Sequence, residues 1–296
     1  MPAPTPPAAA DRPARRLRAL LAGSSPVVAA GVFDATSARL AENAGFPCLH
    51  ASGGAIARAE GFPDLGLIGL EEMARRIDTI LETTHAPLVA DADTGYGNAL
   101  NVQRTVRTFE KAGVAGLHLE DQDFPKRCGL YDGIKVIPTP EMAGKIRAAV
   151  DARHDPDFVV IARSDAVKAE GMAPALDRCQ AYLDAGADML FIEGVHTAAE
   201  IEAVGQRFPG PKLFNMAAPG EPPPLPLTRL GALGYRLIIY PADAQRVAIR
   251  AMADVFAAIL RDGHSGALKN RMSSPAERDE LVDLSTYMEK SRHYGA

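Results

Sequence analysis

The sequence alternates between short apolar segments and longer segments whose apolar residues recur every three or four positions. The short segments are typical of buried parallel strands, and the longer ones are typical of helices that cover a sheet. Eight strands are predicted, at Val27–Val32, Cys48–Ala51, Pro87–Ala90, Gly116–Leu119, Phe158–Ala162, Met189–Ile192, Lys212–Phe214 and Leu237–Tyr240. Eight such units favour an α/β fold in which a parallel sheet closes into a (β/α)8 TIM barrel.

Helices are predicted between the strands and after the last one. Those between strands are at Leu70–Thr84, Ala99–Ala112, Thr139–Ala152, Pro174–Ala185 and Thr197–Phe208. Two more, Asp243–Arg261 and Pro275–Lys290, follow the barrel, and Ser274 is a suitable cap for the second. The last helix is surplus to a minimal barrel, so it packs on a neighbouring subunit or covers the barrel base.

A short repeat marks the ends of several helices just before a strand. Glycine closes this repeat at Gly45, Gly113, Gly186 and Gly234. Glycine suits the left-handed conformation that commonly ends a helix. The repeat is also ordinary punctuation in α/β proteins, so the number of strands is the stronger sign of a barrel.

The length of 296 residues suits one α/β barrel, and we predict a single domain over residues 13–296 that includes the C-terminal helices. The first twelve residues hold four prolines and four alanines without periodicity. That composition predicts a disordered tail, and it lacks the apolar segment of a secretory signal.

Composition narrows the class of partner. The net charge of −5 gives no reason to expect nucleic acid or a membrane as a partner. No apolar run reaches the roughly 18 residues that a membrane-spanning helix needs. The three cysteines are odd in number and widely spaced, which excludes a disulfide framework and predicts a cytoplasmic protein.

Polar residues follow every predicted strand. Because ligands bind at the carboxyl ends of TIM-barrel strands, these residues are the candidate site. They are Asp34, Ser52, Gly53, Gly54, Asp91, Asp93, Glu120, Asp121, Arg163, Asp165, Glu193, Asn215 and Tyr240.

Carboxylates gathered at one end of a barrel repel each other unless a cation neutralises them. We predict Mg²⁺ held directly by Asp93, with Asp91 and Glu120 ordering its waters, because Mg²⁺ keeps several waters and few direct carboxylates. A single aspartate after a strand is often a helix N-cap. Three acids together fit that alternative less well, since each helix has one cap.

Two further groups at the strand ends suit an anionic substrate. Gly53 and Gly54 leave backbone N–H groups open to an oxygen, although a turn also explains them. The planar guanidinium of Arg163 suits a carboxylate, and an ion pair with Asp165 or another acid is the alternative.

Cys128 is the candidate reactive thiol. It follows Lys126 and Arg127, and cations lower the pKa of a thiol so that it can exchange a proton at neutral pH. Its loop is polar and rich in glycine, so we expect it to be exposed and mobile. Cys48 and Cys179 lie in a strand and a helix, where a cysteine is usually buried and inert.

These motifs together carry a resemblance to a family. They are Ser52-Gly53-Gly54, Pro63-Asp64-Leu65-Gly66, Asp91-Ala92-Asp93 with Gly95-Tyr96-Gly97, Glu120-Asp121-Gln122, Lys126-Arg127-Cys128-Gly129 and Ala162-Arg163-Ser164-Asp165. Over residues 27–272 the chain resembles the isocitrate lyase/phosphoenolpyruvate mutase superfamily, and most closely its methylisocitrate lyase branch.

The resemblance implies a (β/α)8 barrel and a homotetramer that exchanges its eighth helix between subunits. It implies Mg²⁺ or Mn²⁺ at Asp93, with Asp64, Asp91 and Glu120 around its waters. It also implies that Cys128, on a closing loop beside Lys126 and Arg127, is the acid/base group. The substrate's oxygens would be held by Ser52, Gly53, Gly54, Arg163, Glu193 and Asn215.

Two positions depart from the family's pattern. The lyases generally have histidine after the Cys-Gly pair, where this chain has Leu130. Close relatives have tyrosine two residues before Ser-Gly-Gly, where this chain has His50. Both changes should alter which diacid fits. His50 is either the catalytic base or a hydrogen-bonded core residue.

The sequence therefore predicts a metal-dependent carbon–carbon lyase. It would cleave a 2-hydroxy di- or tricarboxylate to an α-keto acid and a carboxylate. The alternatives within the family are an oxaloacetate decarboxylase and an enzyme like carboxyphosphonoenolpyruvate phosphonomutase. A barrel that binds a metabolite without catalysis is the alternative from another class.

Overall fold

The computed structural model describes residues 12–129, 131–216 and 223–295. The chain divides into two compact units, Met1–Asp243 and Ala244–Ala296. All of the predicted tail except Arg12 lies outside the described residues, and so does Leu130. The assignment of residues 13–296 to a single domain stays a prediction.

The first unit contains a closed barrel of eight parallel strands that pair in sequence order, with β8 returning to β1. The strands are β1 (Val27–Val32), β2 (Cys48–Ala51), β3 (Leu88–Asp91), β4 (Gly116–Glu120), β5 (Val159–Ser164), β6 (Met189–Ile192), β7 (Lys212–Asn215) and β8 (Tyr235–Tyr240). The predicted (β/α)8 fold is confirmed. Strands with apolar residues on both faces suit this architecture, because helices cover one face and the barrel interior covers the other.

Ten helices of the described chain lie entirely within this unit, and most of an eleventh lies in the second unit. They are α1 (Pro13–Leu21), α2 (Ala35–Asn43), α3 (Gly53–Ala59), α4 (Leu70–Leu81), α5 (Ala99–Ala112), α6 (Thr139–Ala152), α7 (Ala166–Glu170), α8 (Met172–Asp184), α9 (Ala198–Arg207) and α10 (Leu227–Ala232). The helices α5 and α6 have the predicted bounds. Three others, α1, α3 and α7, were not predicted, because nine residues or fewer carry too little periodicity. Of α2 and α10, only the ends were predicted, at Gly45 and Gly234.

Toward its base the barrel interior is apolar, and α1 covers it there. Leu17 of this helix packs in one cluster with inward-facing residues such as Ala29 and Leu237. Arg18 donates to the carbonyl of Asp157 at 2.8 Å and pairs with Asp188 at 2.8 Å. Because these two residues precede β5 and β6, α1 lies at the amino ends of the strands, opposite the predicted site.

Glycine positions explain two features of the barrel. The four glycines of the helix-ending repeat all have positive φ, between 84° and 102°, which confirms the predicted left-handed caps. At Gly31 in β1, a Cβ atom would collide with the carbonyl of Tyr240 in β8. The close approach that joins the last strand to the first therefore requires glycine.

The second unit is helical. It contains most of α11 (Asp243–Asp262), a 3-10 helix (Gly266–Arg271), α12 (Pro275–Leu281) and α13 (Leu284–His293). The prediction of one helix over Pro275–Lys290 is wrong, because Asp283 takes a left-handed φ of 59° and ends the first segment. The predicted cap is confirmed, since the Ser274 hydroxyl accepts from the Glu277 N–H at 3.2 Å. Within the described chain, no helix is both long enough and apolar enough to cross a membrane.

Candidate active site at the barrel mouth

The acids after β3 are held by their own backbone and by α3. The Asp91 carboxylate accepts from the Gly53 N–H at 3.2 Å and from the Asp93 N–H at 3.0 Å. A Cβ on Gly53 would lie 2.7 Å from Asp91, and one on Gly54 would lie 2.7 Å from Asp64. The glycine pair is therefore required where two carboxylates pack on α3. The Gly53 N–H is already used by Asp91, and the Ser52 hydroxyl caps α3 by accepting from Ala55 at 3.4 Å.

Lys126 links two of the predicted metal-site acids. Its ammonium forms ion pairs with Asp64 and, at 2.7 Å, with Asp93, and all three side chains are buried. Burial favours the neutral form of a lysine, but the charges of Asp93, Glu120 and Asp64 raise the pKa of Lys126 well above its usual value. Lys126 is therefore a fixed cation in the midst of the carboxylates.

The two aspartates after β3 differ in ionisation. Burial raises the pKa of Asp93 to about 6, against the opposing effect of Lys126. Burial also acts on Asp91, but the charges of His118, Lys126 and Arg163 outweigh it and hold its pKa below the usual range. Because His118 is neutral at neutral pH, Lys126 and Arg163 carry that effect there. Asp93 also has a left-handed φ of 45°, an uncommon conformation for a residue other than glycine.

Arg163 at the end of β5 is surrounded by acids. Its Nε and Nη2 atoms donate to Asp165 at 2.9 Å each, and Nη1 lies 3.3 Å from Glu120. Nη2 also lies 3.9 Å from Glu193, which accepts from the Asn215 amide at 3.0 Å. The ion pair with Asp165 that the sequence left open is thus present. The remaining guanidinium edge faces Glu120 and Glu193.

The Cys128 loop lies over the same end of the barrel. The Cys128 N–H donates to the Asp64 carbonyl at 3.1 Å. A Cβ on Gly129 would lie 2.8 Å from Glu193 and 3.0 Å from Arg163, so this segment packs directly on the mouth. Cys128 is partly buried, whereas Cys48 and Cys179 are fully buried and burial raises the pKa of both thiols.

Arg127 takes no part in this cluster. Its backbone is held by the Gln122 side chain through two hydrogen bonds of 2.8 Å. Its side chain is exposed, and its guanidinium donates to the Asp132 carbonyl at 3.1 Å. The sequence placed two cations beside the thiol, but only Lys126 turns inward, so a catalytic role for Arg127 stays a prediction without geometric support.

His50 lies in the barrel interior and contacts a second histidine. The Nε2 atoms of His50 and His118 are 3.0 Å apart, so one donates and the other accepts. Burial lowers the pKa of His50 to about 4 and that of His118 to about 3, which leaves both neutral at neutral pH. This is the hydrogen-bonded core arrangement, and the role of His50 as a base stays a prediction.

The donor chemistry of the mouth fits a hard divalent cation. Within the described chain, the mouth contains two buried cations, Lys126 and Arg163. Its six buried carboxylates are those of Asp64, Asp91, Asp93, Glu120, Asp165 and Glu193. One buried oxygen of Glu120 has no hydrogen bond to a described residue. Burial raises the pKa of Glu120 well above its usual value, as expected for an acid with too little positive charge nearby.

The described residues contain no set of three or more His, Cys, Asp or Glu side chains placed to hold a metal together. The Lys126 ammonium lies between two of the candidate acids, Asp64 and Asp93. A Mg²⁺ ion needs only one or two direct carboxylates and completes its shell with water. The residues therefore fit the predicted arrangement, in which Asp93 is the direct protein ligand.

Two residues near the thiol were not predicted from the sequence. Arg58 of α3 donates to the Gly54 carbonyl at 2.6 Å and to the Tyr131 hydroxyl at 3.3 Å. Tyr131 follows the thiol, and its N–H donates to the Cys128 carbonyl at 2.8 Å. Arg58 thus ties the Cys128 loop to α3. The sequence signal for Arg58 was its position four residues after Gly54 on a short helix, and this signal is weak.

Comparisons with known proteins show similarity to named enzymes over nearly the whole chain. The family model described as phosphoenolpyruvate phosphomutase matches residues 17–260. The 2,3-dimethylmalate lyase of Eubacterium barkeri is 42% identical over 95% of this chain and 98% of its own length. The 2-methylisocitrate lyase of Shewanella oneidensis is 37% identical over 93% and 94%.

Solved structures show the same barrel. A phosphoenolpyruvate phosphomutase from Streptomyces platensis subsp. rosaceus has a TM-score of 0.90 and 33% identity, over 96% of this chain and 99% of its own. A phosphonopyruvate hydrolase complex with oxalate and Mg²⁺ has a TM-score of 0.87 and 33% identity, over 96% and 100%. Relatives on this fold thus carry names for both carbon–carbon and carbon–phosphorus chemistry.

Proposed function

This chain belongs to the phosphoenolpyruvate phosphomutase family of the isocitrate lyase/phosphoenolpyruvate mutase superfamily, and on that premise we propose that it is a metal-dependent carbon–carbon lyase. Its substrate class is a 2-hydroxy di- or tricarboxylate, which it cleaves to an α-keto acid and a carboxylate. The names of its lyase relatives, 2,3-dimethylmalate lyase and 2-methylisocitrate lyase, support this class of substrate.

One observation carries the proposal: the thiol loop and the carboxylate cluster occupy the same end of the barrel. Cys128 bonds to the backbone of Asp64, and Asp64 and Asp93 share Lys126. Gly129 packs on Arg163 and Glu193. A substrate between these groups would therefore meet anion-binding groups on one side and the thiol on the other.

The proposed cleavage is a balanced proton and electron-pair movement. A base takes the proton of the 2-hydroxyl group, the oxygen electrons form the keto group, and the bond between C2 and C3 breaks. The electron pair left on C3 then takes a proton from the Cys128 thiol. The thiolate and the base return to their starting forms by proton exchange with water. His50 is a candidate base in the tautomer whose Nε2 donates to His118, because its Nδ1 atom can then accept a proton.

The chain's residues would also hold the substrate and the cation. Arg163 would pair with a substrate carboxylate through the guanidinium edge that faces Glu120 and Glu193, and the Cys128 loop would exclude water. Asp93 would hold Mg²⁺ or Mn²⁺, with Asp64, Asp91 and Glu120 ordering its waters. When bound, the ion would stabilise the negative charge that develops on the products. The Mg²⁺ and oxalate described for the phosphonopyruvate hydrolase support this assignment.

A substrate panel tests the function. We expect release of an α-keto acid from 2,3-dimethylmalate or 2-methylisocitrate with MgCl₂, and loss of that release with a chelator. Cys128→Ser should bind oxalate normally but lower turnover by about 10²-fold or more. Cys179→Ala, at a buried cysteine of α8, is the matched control and should keep normal turnover. Near-normal turnover of Cys128→Ser would rule out the thiol as the acid.

Carbon–phosphorus chemistry is the second candidate, because the matched family model and one close structure carry the phosphomutase name. Carboxyphosphonoenolpyruvate and oxaloacetate therefore belong in the same panel. Phosphonate formation would favour a mutase, and loss of CO₂ from oxaloacetate without cleavage of larger acids would favour a decarboxylase. Binding without turnover would favour a metabolite-binding barrel.

A homotetramer remains part of the proposal. The second unit supports it, since α11 exposes large apolar side chains and no described residue of α12 or α13 is buried. Exposed apolar patches of this kind mark surfaces for protein contacts. Sedimentation equilibrium should give the mass of four chains, and a monomer mass would contradict it. The cytoplasmic location stays a prediction.

A further inference from the structure

Asp121 is a buried carboxylate next to the site that the proposed reaction does not use. It directly follows β4 and has no exposed surface. Its neighbour Glu120 points into the mouth, whereas the Asp121 side chain contacts β5 and α8. One oxygen accepts from the Asp165 N–H at 2.8 Å. The other accepts from the Ser164 hydroxyl at 2.7 Å and from the Tyr182 hydroxyl at 2.8 Å.

These bonds hold the turn between β5 and α7, which carries the partner of Arg163. The Asp165 side chain makes no capping bond to α7, because both of its oxygens accept from Arg163 at 2.9 Å. The hydrogen bond between Asp121 and Asp165 is made by the backbone N–H of Asp165. The direction of the guanidinium thus depends on where Asp121 holds that backbone.

Asp121 is itself fixed from two sides. Its carbonyl accepts from the Ile137 N–H at 2.9 Å, and Arg178 of α8 lies 3.8 Å from its carboxylate. Arg178 also donates to the Ile137 carbonyl at 2.8 Å and twice to Glu170 at 2.7 Å. Asp121 therefore connects the ends of β4 and β5 to the outer helix α8.

We propose that Asp121 is the positioning residue that aims Arg163 at the substrate carboxylate, acting through the backbone of Asp165 and the Ser164 hydroxyl. The assignment rests on the proposed function, in which Arg163 holds a carboxylate. Asp121 does not touch the substrate. It restricts the turn that contains Asp165, and the Asp165 carboxylate accepts from two nitrogens of Arg163. The remaining edge of the guanidinium therefore keeps one direction.

The test compares three variants by oxalate binding with MgCl₂ and by crystal structure. Asp121→Ala removes every acceptor, so the dissociation constant for oxalate should rise about tenfold, equivalent to about 1.4 kcal/mol. Asp121→Asn keeps one acceptor for the Asp165 N–H and should rescue most of that loss. Glu170→Gln alters the outer end of the same network and should bind oxalate normally.

A purely structural role predicts a different outcome. It would lower the melting temperature of Asp121→Ala while leaving the oxalate affinity of the folded protein and the position of Arg163 unchanged, which would overturn the inference. If Asp121→Ala does not fold, Ser164→Ala, which removes the hydroxyl that donates to Asp121, must displace Arg163 in the crystal, or the inference fails. If the wild type binds no oxalate, the proposed function fails, but the position of Arg163 in the variants still decides the role of Asp121.

Discussion

Each end of the barrel buries a lysine, and the surroundings shift the pKa values of the two lysines in opposite directions. At the mouth, Lys126 pairs with Asp64 and Asp93, and the surrounding carboxylates raise its pKa well above the usual value. At the base, Lys212 begins β7 and donates to the backbone carbonyls of Phe208 and Gly210. Burial and nearby Arg236 lower the pKa of Lys212 to about 8.

The difference distinguishes the mouth, where the groups suit chemistry, from the base, where the lysine only stabilises the fold. The mouth collects more negative charge than its cations neutralise, which costs stability unless a ligand or metal ion adds positive charge. The base has no such excess around Lys212, whose ammonium satisfies two carbonyls at the end of a helix and in a turn. A buried cation therefore indicates function only when its partners are charged groups that remain in excess.

Removing the lysine at the mouth should have the largest effect. Lys126→Met leaves Asp64 and Asp93 buried without their shared cation, which should lower the free energy of unfolding by about 3–5 kcal/mol. Turnover per folded molecule should fall below detection. Urea unfolding and the keto-acid assay measure the two effects, and Lys111→Met, at an exposed lysine of α5, is the control. If Lys126→Met keeps its activity, the two ends do not differ as described.

Removing the lysine at the base should reduce stability without reducing activity. Lys212→Met keeps the apolar stem but leaves two carbonyls without their donor, at a cost of about 1–3 kcal/mol. Turnover measured well below the melting temperature should match the wild type. A large fall in turnover at unchanged stability would show that the base contributes to the chemistry.

The stability difference between the wild type and Lys212→Met should also depend on pH. The pKa of Lys212 is about 8 in the folded protein and about 10.5 in the unfolded chain, so the unfolded state binds more protons between these values. The stability of the wild type relative to Lys212→Met should therefore rise as pH increases from 8 to 10.5. Paired urea titrations across that range measure it, and a constant difference would contradict the lowered pKa.

Much of the barrel follows from local pattern, and much of the site from its position on the barrel. Three strands, β1, β2 and β6, have the predicted bounds, since their apolar runs are bounded by turn residues. The helix α1 was not predicted. It has nine residues, and its role in covering the base is evident only when it is packed against the strands. The break at Asp283 was also missed, because helical periodicity continues through it.

Side-chain direction within the site could not be predicted. Lys126 and Arg127 are adjacent in sequence, yet one is buried among acids and the other donates to an exposed carbonyl. The same holds for Glu120 and Asp121, which point to opposite sides of the strand end. Consecutive residues after a strand face alternate sides, and the register of the closed barrel decides which side is the mouth.

The sequence by itself determined the fold class, the family and the set of acids, cations and thiol at the strand ends. Apolar periodicity and motif spacing are local properties that the chain carries wherever it folds. Only the tertiary structure decided which of these groups meet, with Lys126 between Asp64 and Asp93, and Arg163 among Asp165, Glu120 and Glu193. Those contacts join residues from different strands, and barrel closure sets their distances.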